Sequence, residues 1–337
     1  MTVKSLGKDW IQKAVVGSRV LDLAGRFRAP SAVILMYHSV RDDPKQHADL
    51  IGPGITHAAS TFRHQMEILA REFAPVALDD ILLFLRGEVN LPRRAVAVTF
   101  DDGFADNEEI AAPILDYFGI RGSFYATVDL IGTPKPPWYC RLRYSFLTTR
   151  KSEWANSLDG RVWSLQDRKS RDSALLAAFD LCAPLVADRQ ERAIRSIELA
   201  LDAEFLASGR CFMMNWDQLR HLQKKGHIVG SHTLTHPNVA HVADDTDLRT
   251  ELAESKKRIE LELGSEVVHF SYPHPALDPQ WSDKTVEMTA SAGYKTAVTT
   301  THGLVSAGAN PLCLGRLGAV RLEQAFRWNL SRIFIGF

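Results

Sequence analysis

Short apolar runs alternate along the chain with segments in which apolar residues recur at every third or fourth position. The runs are typical of strands buried on both faces of a parallel sheet, and the spaced pattern is typical of amphipathic helices. The run at 94–100 is the clearest strand, and residues 61–73 carry the clearest helical spacing. The predicted strands are 31–38, 94–100, 123–128, 227–232, 267–273, 294–300 and 317–320, and the predicted helices are 61–73, 81–85, 108–118, 215–226, 247–263 and 283–292.

The alternation of strands with helices predicts the overall fold. Strands separated by helices form parallel sheets, and about seven such units favour closure into a barrel. Barrels of this kind commonly reach about 250 residues as one domain, so the 337-residue chain fits one barrel with an insertion. The rhythm breaks between 138 and 210, where the pattern is helical and without clear strands. We therefore expect an α/β fold, a distorted (β/α) barrel over residues 31–337, with a mostly helical insertion at about 138–210.

Residues 1–30 differ from the barrel in composition. They carry six Lys or Arg against two Asp, with apolar residues interleaved, which predicts a basic amphipathic segment. Such a segment can lie on a membrane surface, and an ordinary surface helix or a loose leader is the alternative. Charges interrupt the stretch where a secretory signal would lie, and no run approaches the roughly 20 apolar residues of a membrane span. The expected location is the cytoplasm or the cytoplasmic membrane surface, with peripheral membrane contact through the N-terminus.

Net charge and cysteine spacing argue against two classes of protein. The formal net charge is zero, so no nucleic-acid partner is expected. The four cysteines form no Cys-x-x-Cys pair, which argues against a structural zinc site. The sequence leaves the oligomeric state open.

Two adjacent carboxylates end the most buried predicted strand. Asp101 and Asp102 follow the run at 94–100 and precede Gly103. Burying two carboxylates is costly unless a metal ion or a cation offsets their charge. Because consecutive strand residues point in opposite directions, a turn beginning at Asp101 is needed to bring both side chains to one cavity, and Gly103 suits such a turn. The alternative is that the two aspartates only cap the following helix.

Two histidines follow the predicted strand at 227–232. In a helical turn, the spacing of His232 and His236 places both rings on one face, where they can chelate one ion. Two loop histidines without a ligand are the alternative. Because the carboxyl ends of barrel strands share one rim, these histidines and an aspartate supply a ligand set with open positions for water and substrate. His38 ends its own strand at the same rim, and is either a proton donor or a satisfied polar residue.

Three motifs carry a family resemblance: Thr-Phe-Asp-Asp-Gly at 99–103, Ser-His-Thr-Leu-Thr-His-Pro at 231–237 and Phe-Ser-Tyr-Pro-His-Pro at 270–275. Together they resemble the leading motifs of the NodB-type polysaccharide deacetylases, carbohydrate esterase family 4. The similarity extends to Met-Tyr-His-Ser-Val at 36–40 and covers nearly the whole chain outside the N-terminus and the insertion. The resemblance implies a distorted barrel that removes N-acyl groups from sugars.

The resemblance also implies a role for each matching residue. The first aspartate of the family motif is the general base, which assigns that role to Asp101. The second aspartate and the two histidines hold a divalent metal, most often Zn²⁺; these residues are Asp102, His232 and His236. A backbone N–H that follows the proline of the third motif helps to stabilise the oxyanion, and here it belongs to His274 after Pro273.

The sequence departs from the family pattern in two places. Ser271 stands where the family has an arginine that orients the base, and the late Leu-x-His motif that supplies the general acid is missing. Members similar to the poly-N-acetylglucosamine deacetylases have a permuted arrangement with the acid on the first strand, which makes His38 the expected acid. Arg316 is the expected replacement for the arginine, with a surface cation as the alternative. His274 and His302 are the alternative acids.

The predicted function is metal-dependent hydrolysis of the N-acetyl group of N-acetylhexosamine units in a polysaccharide, an oligosaccharide or a lipid-linked glycan. One alternative is a related-barrel amidase or deformylase that acts on a non-polymeric substrate. The other is a non-catalytic saccharide-binding homologue. The 138–210 insertion is expected to cover or extend the substrate groove without supplying catalytic groups, or else to be a decorative or oligomer-forming excursion.

Overall fold

The structure, a computed structural model, describes residues 29–156, 160–205 and 211–335. The basic segment expected over residues 1–30 lies outside the described residues apart from its last two positions. In chain order the strands are β1 (Ser31–Tyr37), β2 (Ser39–Arg41), β3 (Thr56–Ala58), β4 (Ala74–Pro75), β5 (Ala95–Phe100), β6 (Gly122–Ala126), β7 (Glu153–Ala155), β8 (Val162–Ser164), β9 (Ile228–Ser231), β10 (His269–Ser271), β11 (Thr296–Val298), β12 (Val305–Ser306) and β13 (Leu317–Gly318). The helices are α1 (Ala59–Glu72), α2 (Leu78–Leu85), α3 (Ala112–Tyr117), α4 (Trp138–Thr148), α5 (Arg168–Cys182), α6 (Ala187–Leu201), α7 (Trp216–Lys224), α8 (Asp245–Leu263), α9 (Asp283–Ser291) and α10 (Glu323–Ile335).

A curled, mostly parallel sheet forms the centre of the molecule, as the alternation of strands and helices predicts. Its strand order is β11-β10-β9-β6-β5-β1-β12, and only β12 runs antiparallel to its neighbour β1. The longest pairing joins β1 to β5 in parallel from Ala32 opposite Ala95 to Tyr37 opposite Phe100. Because the two strands end level, the residues that follow them, His38 and Asp101, reach the same rim.

The segment around residues 311–319 joins the two sides of the curled sheet. Leu314 pairs in parallel with Val298 of β11, and Leu317 in β13 pairs with Leu35 of β1. The sheet therefore closes as a distorted barrel through a seam of very few residue pairs. Arg316 lies in this seam, between the first and the last parallel strands of the sheet.

Apolar burial on both faces of the strands fixes the core. All six residues of β5 are buried, which agrees with a strand that faces the barrel interior on one side and helices on the other. Phe62, Met66 and Leu69 of α1 are fully buried against the outer face of the sheet. Truncating a buried side chain of this kind to alanine typically costs about 2–5 kcal/mol of stability.

The segment predicted as a mostly helical insertion contains α4, α5 and α6 and, in addition, an antiparallel hairpin of β7 and β8 that the sequence pattern did not predict. It has an apolar core of its own that includes Leu142, Phe146 and Trp154. Buried Arg141 on α4 donates to both carboxylate oxygens of Glu198 on α6 at 2.9 and 2.6 Å. This ion pair joins two insertion helices beneath the surface. Among the described residues, no helix is long and apolar enough to cross a membrane.

Candidate active site

Asp101 lies at the floor of a cavity at the carboxyl end of the sheet. The two nitrogens Nη1 and Nη2 of Arg316 donate to its two oxygens at 2.8 and 2.6 Å, and the hydroxyl of Ser271 donates to it at 3.1 Å. Arg316 is completely buried, and its Nε donates to the carbonyl of Thr299. The structure therefore joins Asp101 to Arg316 and to Ser271, the residue that stands in the place of the family's arginine.

The charge of Arg316 decides the ionisation of Asp101. Burial raises the pKa of Asp101, but the charges of Arg316 and His232 together outweigh burial and leave the pKa below its ordinary value. A carboxylate in this setting stays ionised near neutral pH. It is therefore suited to accept a proton, and a bidentate guanidinium pair also fixes its orientation.

A tight turn directs Asp102 into the same cavity as Asp101. Asp102 and Gly103 both have a positive φ, 77° and 87°. A Cβ added to Gly103 would lie 3.3 Å from the Cα of Ala126, so glycine is required for backbone proximity as well as for conformation. A left-handed aspartate is strained, and this turn places the two carboxylates side by side.

Asp102, His232 and His236 form a buried cluster whose ligand atoms all lie within 4.8 Å of one another. Oδ1 of Asp102 is 3.5 Å from Nε2 of His232 and 3.2 Å from Nε2 of His236. Nδ1 of His232 lies 2.7 Å from the carbonyl of Ser271, an acceptor that fixes the proton on Nδ1 and leaves Nε2 free to bind a metal. One carboxylate and two imidazoles fit a divalent transition metal such as zinc.

The electrostatics of the cluster favour the metal-binding protonation states. Burial raises the pKa of Asp102, but the interactions of its carboxylate with His232 and His236 outweigh burial and hold the pKa well below the ordinary value. Burial lowers the pKa of His236. An ionised carboxylate and a neutral imidazole are the forms that bind a metal ion.

A turn, and not a helix, brings the two histidines together. The expectation of one helical face is wrong, because β9 ends at Ser231 and no helix follows until Asp245. Thr233 and His236 instead have φ values of 67° and 63°, and the Thr233 hydroxyl accepts a hydrogen bond from the backbone N–H of His236. Glu251 of α8 accepts hydrogen bonds from the backbone N–H groups at 234 and 235, which fastens this turn to the barrel.

The three histidines considered as proton donors have different surroundings. His38, half-buried, lines the cavity of about 390 Å³ that contains Asp101, Asp102 and the two cluster histidines. His274 also lines this cavity, but its ring nitrogens lie 3.1 Å from Oγ1 of Thr300 and 3.1 Å from Oδ1 of Asp278. Exposed His302 does not line the cavity, and neither does Pro273, which is buried.

The insertion contributes residues to the site that sequence reasoning missed. Tyr139 on α4 donates its hydroxyl to Oδ2 of Asp102 at 2.7 Å, so the insertion reaches the candidate metal ligand. Burial and the charge of Asp102 raise the pKa of Tyr139, so the hydroxyl keeps its proton. Arg143 and Arg168 line the cavity as well. The available signal was the spacing of Tyr139 and Arg143, which places both on one face if the segment is helical, as it is in α4.

Comparisons with known proteins find one matching family model and several solved structures of similar fold. The sequence model of the polysaccharide deacetylase family matches residues 175–297. No curated protein sequence matches the chain. Among solved structures, the Streptococcus pyogenes deacetylase PplD in complex with acetate is 16% identical with a TM-score of 0.59, and the alignment covers 90% of this chain and 99% of that one.

Two further solved structures are similar over comparable lengths. IcaB from Ammonifex degensii is 16% identical with a TM-score of 0.59, and the alignment covers 90% of this chain and 98% of that one. A de-N-acetylase from Aggregatibacter actinomycetemcomitans is 16% identical with a TM-score of 0.54, covering 89% of this chain and 99% of that one. At such identities the likeness establishes the fold, and it agrees with the distorted barrel that the sequence predicts.

Proposed function

We propose that this chain, which matches the polysaccharide deacetylase family model over residues 175–297, deacetylates N-acetylhexosamine units of a glycan with a divalent metal. The observation that carries the proposal is the content of one cavity. A carboxylate locked by a buried arginine lies beside a cluster of one aspartate and two histidines. Proton acceptor and metal ligands are thus adjacent.

Asp102, His232 and His236 are the residues that would hold the ion, and Zn²⁺ is the expected metal because the donors are two imidazoles and one carboxylate. When bound, such an ion supplies Lewis acidity toward a carbonyl and makes an attacking water more acidic. Tyr139 and the carbonyl of Ser271 orient two of the ligands. These contacts limit the motion of the ligand atoms.

Asp101 accepts the proton of the attacking water in this proposal. The pair with Arg316 keeps the carboxylate ionised and oriented, and Ser271 donates a further hydrogen bond to Oδ1, the oxygen that also accepts from Nη1 of Arg316. Arg316 thereby takes over the role of the family's arginine, whose place in the motif Ser271 occupies in this chain. It acts through Asp101 and is a positioning residue.

His38 donates a proton to the departing amine. An amide nitrogen leaves poorly as an anion, so a donor must lie near it. Of the three histidine candidates, His38 lies in the cavity without a described side-chain hydrogen bond, whereas both ring nitrogens of His274 are engaged by its own loop and by Thr300. The backbone N–H of His274, which follows Pro273, is proposed to stabilise the oxyanion.

Mass spectrometry of N-acetylated oligosaccharides after incubation with the zinc-loaded protein tests the function. We expect products that have lost one or more acetyl groups, with an equal amount of free acetate. A protein that binds these sugars and releases no acetate would be a saccharide-binding homologue. Release of formate from N-formyl sugars, without acetate from N-acetyl sugars, would indicate the deformylase alternative.

A further inference from the structure

Two arginines of the insertion line the cavity of the candidate active site. Arg143 lies on α4, one helical turn after Tyr139, and Arg168 is the first residue of α5. Because one turn of helix rises about 5.4 Å, Arg143 lies within about one sugar unit of the residue that contacts Asp102. Arg143 and Arg168 therefore line the same cavity that a substrate enters when its acetamido group lies at the cluster.

The charge of Arg143 is poorly compensated by the protein. Its Nε and Nη2 donate to the carbonyl of Ala48 at 3.3 and 3.1 Å, and no described carboxylate lies within ion-pair distance of it. Burial lowers the pKa of Arg143, and the neighbouring charge of Arg168 lowers it further. Because a guanidinium does not lose its proton in proteins, both arginines stay charged and repel each other.

The carboxylates near the pair are either outside the cavity or already engaged. Asp172 accepts from Nε of Arg168 on the exposed side of α5, and Asp49 is exposed on the loop before α1. Neither of these two lines the cavity. Two carboxylates do line the cavity. Asp101 is bound by Arg316, and Asp102 belongs to the candidate metal cluster.

Apolar side chains line the same cavity as the two arginines. Leu50 and Ile55 come from the segment before α1, and Leu175 and Phe179 come from α5. Apolar and aromatic side chains suit the faces of sugar rings, while the guanidinium groups offer forked donors for planar or tetrahedral anions. The cavity thus combines a sugar-compatible lining with Arg143, which has no described carboxylate partner, and Arg168, whose partner Asp172 does not line the cavity.

We propose that Arg143 and Arg168 form a subsite for an anionic group, a carboxylate or a phosphate ester, carried by the acetamido sugar or by the unit next to it. The subsite rests on the proposed deacetylation and narrows its substrate to acidic glycans or sugar phosphates. The insertion then selects the substrate by charge, while the barrel supplies the groups for hydrolysis.

Equilibrium binding to matched probes tests the subsite. Calorimetry uses the zinc-loaded His38→Ala protein, with Asp101→Asn as a second background, so that turnover does not consume the probes. A tetrasaccharide that alternates N-acetylglucosamine with glucuronic acid is compared with a neutral N-acetylglucosamine tetrasaccharide. N-acetylglucosamine 1-phosphate is compared with N-acetylglucosamine. We expect the anionic probe of at least one pair to bind about tenfold more tightly, and the pair that shows it identifies a carboxylate or a phosphate.

The arginine variants decide whether the preference belongs to this pair. The ratio of anionic to neutral affinity should fall toward one in Arg143→Gln and in Arg168→Gln, and should be partly kept in Arg143→Lys. The matched control is Arg195→Gln, which removes an exposed arginine of α6 and should keep the wild-type ratio. Added salt should weaken only the binding of the anionic probes.

Two results would overturn the subsite: equal affinities within both probe pairs, or an unchanged ratio in both glutamine variants. The proposed function is tested separately by acetate release from the neutral tetrasaccharide with the wild-type protein. Acetate release without an anion preference would contradict the subsite and leave the function standing. An anion preference without acetate release from any probe would support the subsite and contradict the function.

Discussion

Asp101 has both carboxylate oxygens occupied by Arg316, and replacement by asparagine keeps the shape but removes the proton acceptor. We expect turnover of Asp101→Asn to fall about 100-fold or more, because general bases contribute at least that much. Zinc binding should survive, since Asp102 and the histidines are unchanged. The uncompensated charge of buried Arg316 should lower the free energy of unfolding by about 3 kcal/mol.

Acetate release, zinc analysis and denaturant unfolding of the same preparation check this set of expectations. A folded Asp101→Asn protein with a near-native rate would remove Asp101 from the role of base.

His38 is tested by the choice of leaving group. His38→Ala should keep its fold and its metal and lose most turnover on an N-acetyl sugar, because the amine needs a proton to depart. An activated aryl acetate ester needs none, so the loss on the ester should be much smaller. Both rates are measured on one preparation. Equal losses on amide and ester would indicate a binding or structural role for His38, and the absence of any loss would return the acid role to His274 or His302.

Tyr139 connects the insertion to the candidate metal site through one hydrogen bond to Asp102. Tyr139→Phe should weaken zinc affinity by about 10-fold to 100-fold, the usual cost of removing a contact to a metal ligand. Competition with a chelator measures this affinity without reference to activity. Tyr144→Phe on the same helix is the matched control and should bind zinc as the wild type does. Identical affinity in Tyr139→Phe would show that the hydrogen bond does not support the site.

At the scale of elements, the sequence pattern located the barrel strands and helices but not their ends. The run at 267–273 predicts a long strand, whereas β10 spans only His269–Ser271. Apolar residues extend beyond strands wherever the following loop is also buried, as Tyr272 and Pro273 are. The hairpin of β7 and β8 was missed because its strands have three residues each, too few to establish a period.

The histidine turn shows a different limit of pattern reasoning. The spacing of His232 and His236 is compatible with a helix, and only the local backbone distinguishes a helix from a turn. The left-handed conformation of Thr233 carries no sequence signal, because β-branched residues rarely adopt it, and histidine adopts it too seldom for His236 to predict the turn. The convergence of the two rings was predictable from the family resemblance, but the geometry that achieves it was not.

Asp106 links the π-helical turn at Asn107–Ala111 to β2. Its titration makes the free energy of unfolding of the protein depend on pH. Its buried carboxylate accepts from the Ser39 hydroxyl and the Val40 N–H and lies 3.4 Å from Nε of Arg41. Burial raises the pKa of Asp106 to about 6, against the opposing hydrogen bonds. The folded state therefore holds a proton that the unfolded state releases near pH 4, and this contribution to stability declines as pH rises from about 4 to about 6.

Asp106→Asn removes this titration. The free energy of unfolding of the wild type relative to Asp106→Asn should fall by up to about 3 kcal/mol between pH 4 and pH 7. Denaturant unfolding of both proteins across this range measures the difference, and titrations common to both cancel. A difference that grows in favour of the wild type with rising pH would mean that Arg41 lowers the pKa of Asp106 below its ordinary value.

At the scale of the whole molecule, the site depends on contacts between distant parts of the chain. Two predicted parallel strands precede Asp101, Asp102, His232 and His236, so the approach of these residues to one another was predictable from the barrel rule. For Arg316 the sequence left two expectations open, a pairing with Asp101 and a surface cation. The segment that contains Arg316 has too few strand residues for a pattern to decide between them. The contact of Tyr139 with Asp102 was not expected, since nothing in the sequence fixes how the insertion packs on the rim.

The most direct test of the account measures metal content and acetate release together in wild-type and His236→Ala proteins. Exposed His64 supplies the control variant His64→Ala. We predict that the wild type and the control hold one zinc ion per chain and release acetate from an N-acetylated oligosaccharide, and that His236→Ala loses both. A His236→Ala protein with stoichiometric zinc and wild-type acetate release would contradict the proposed site.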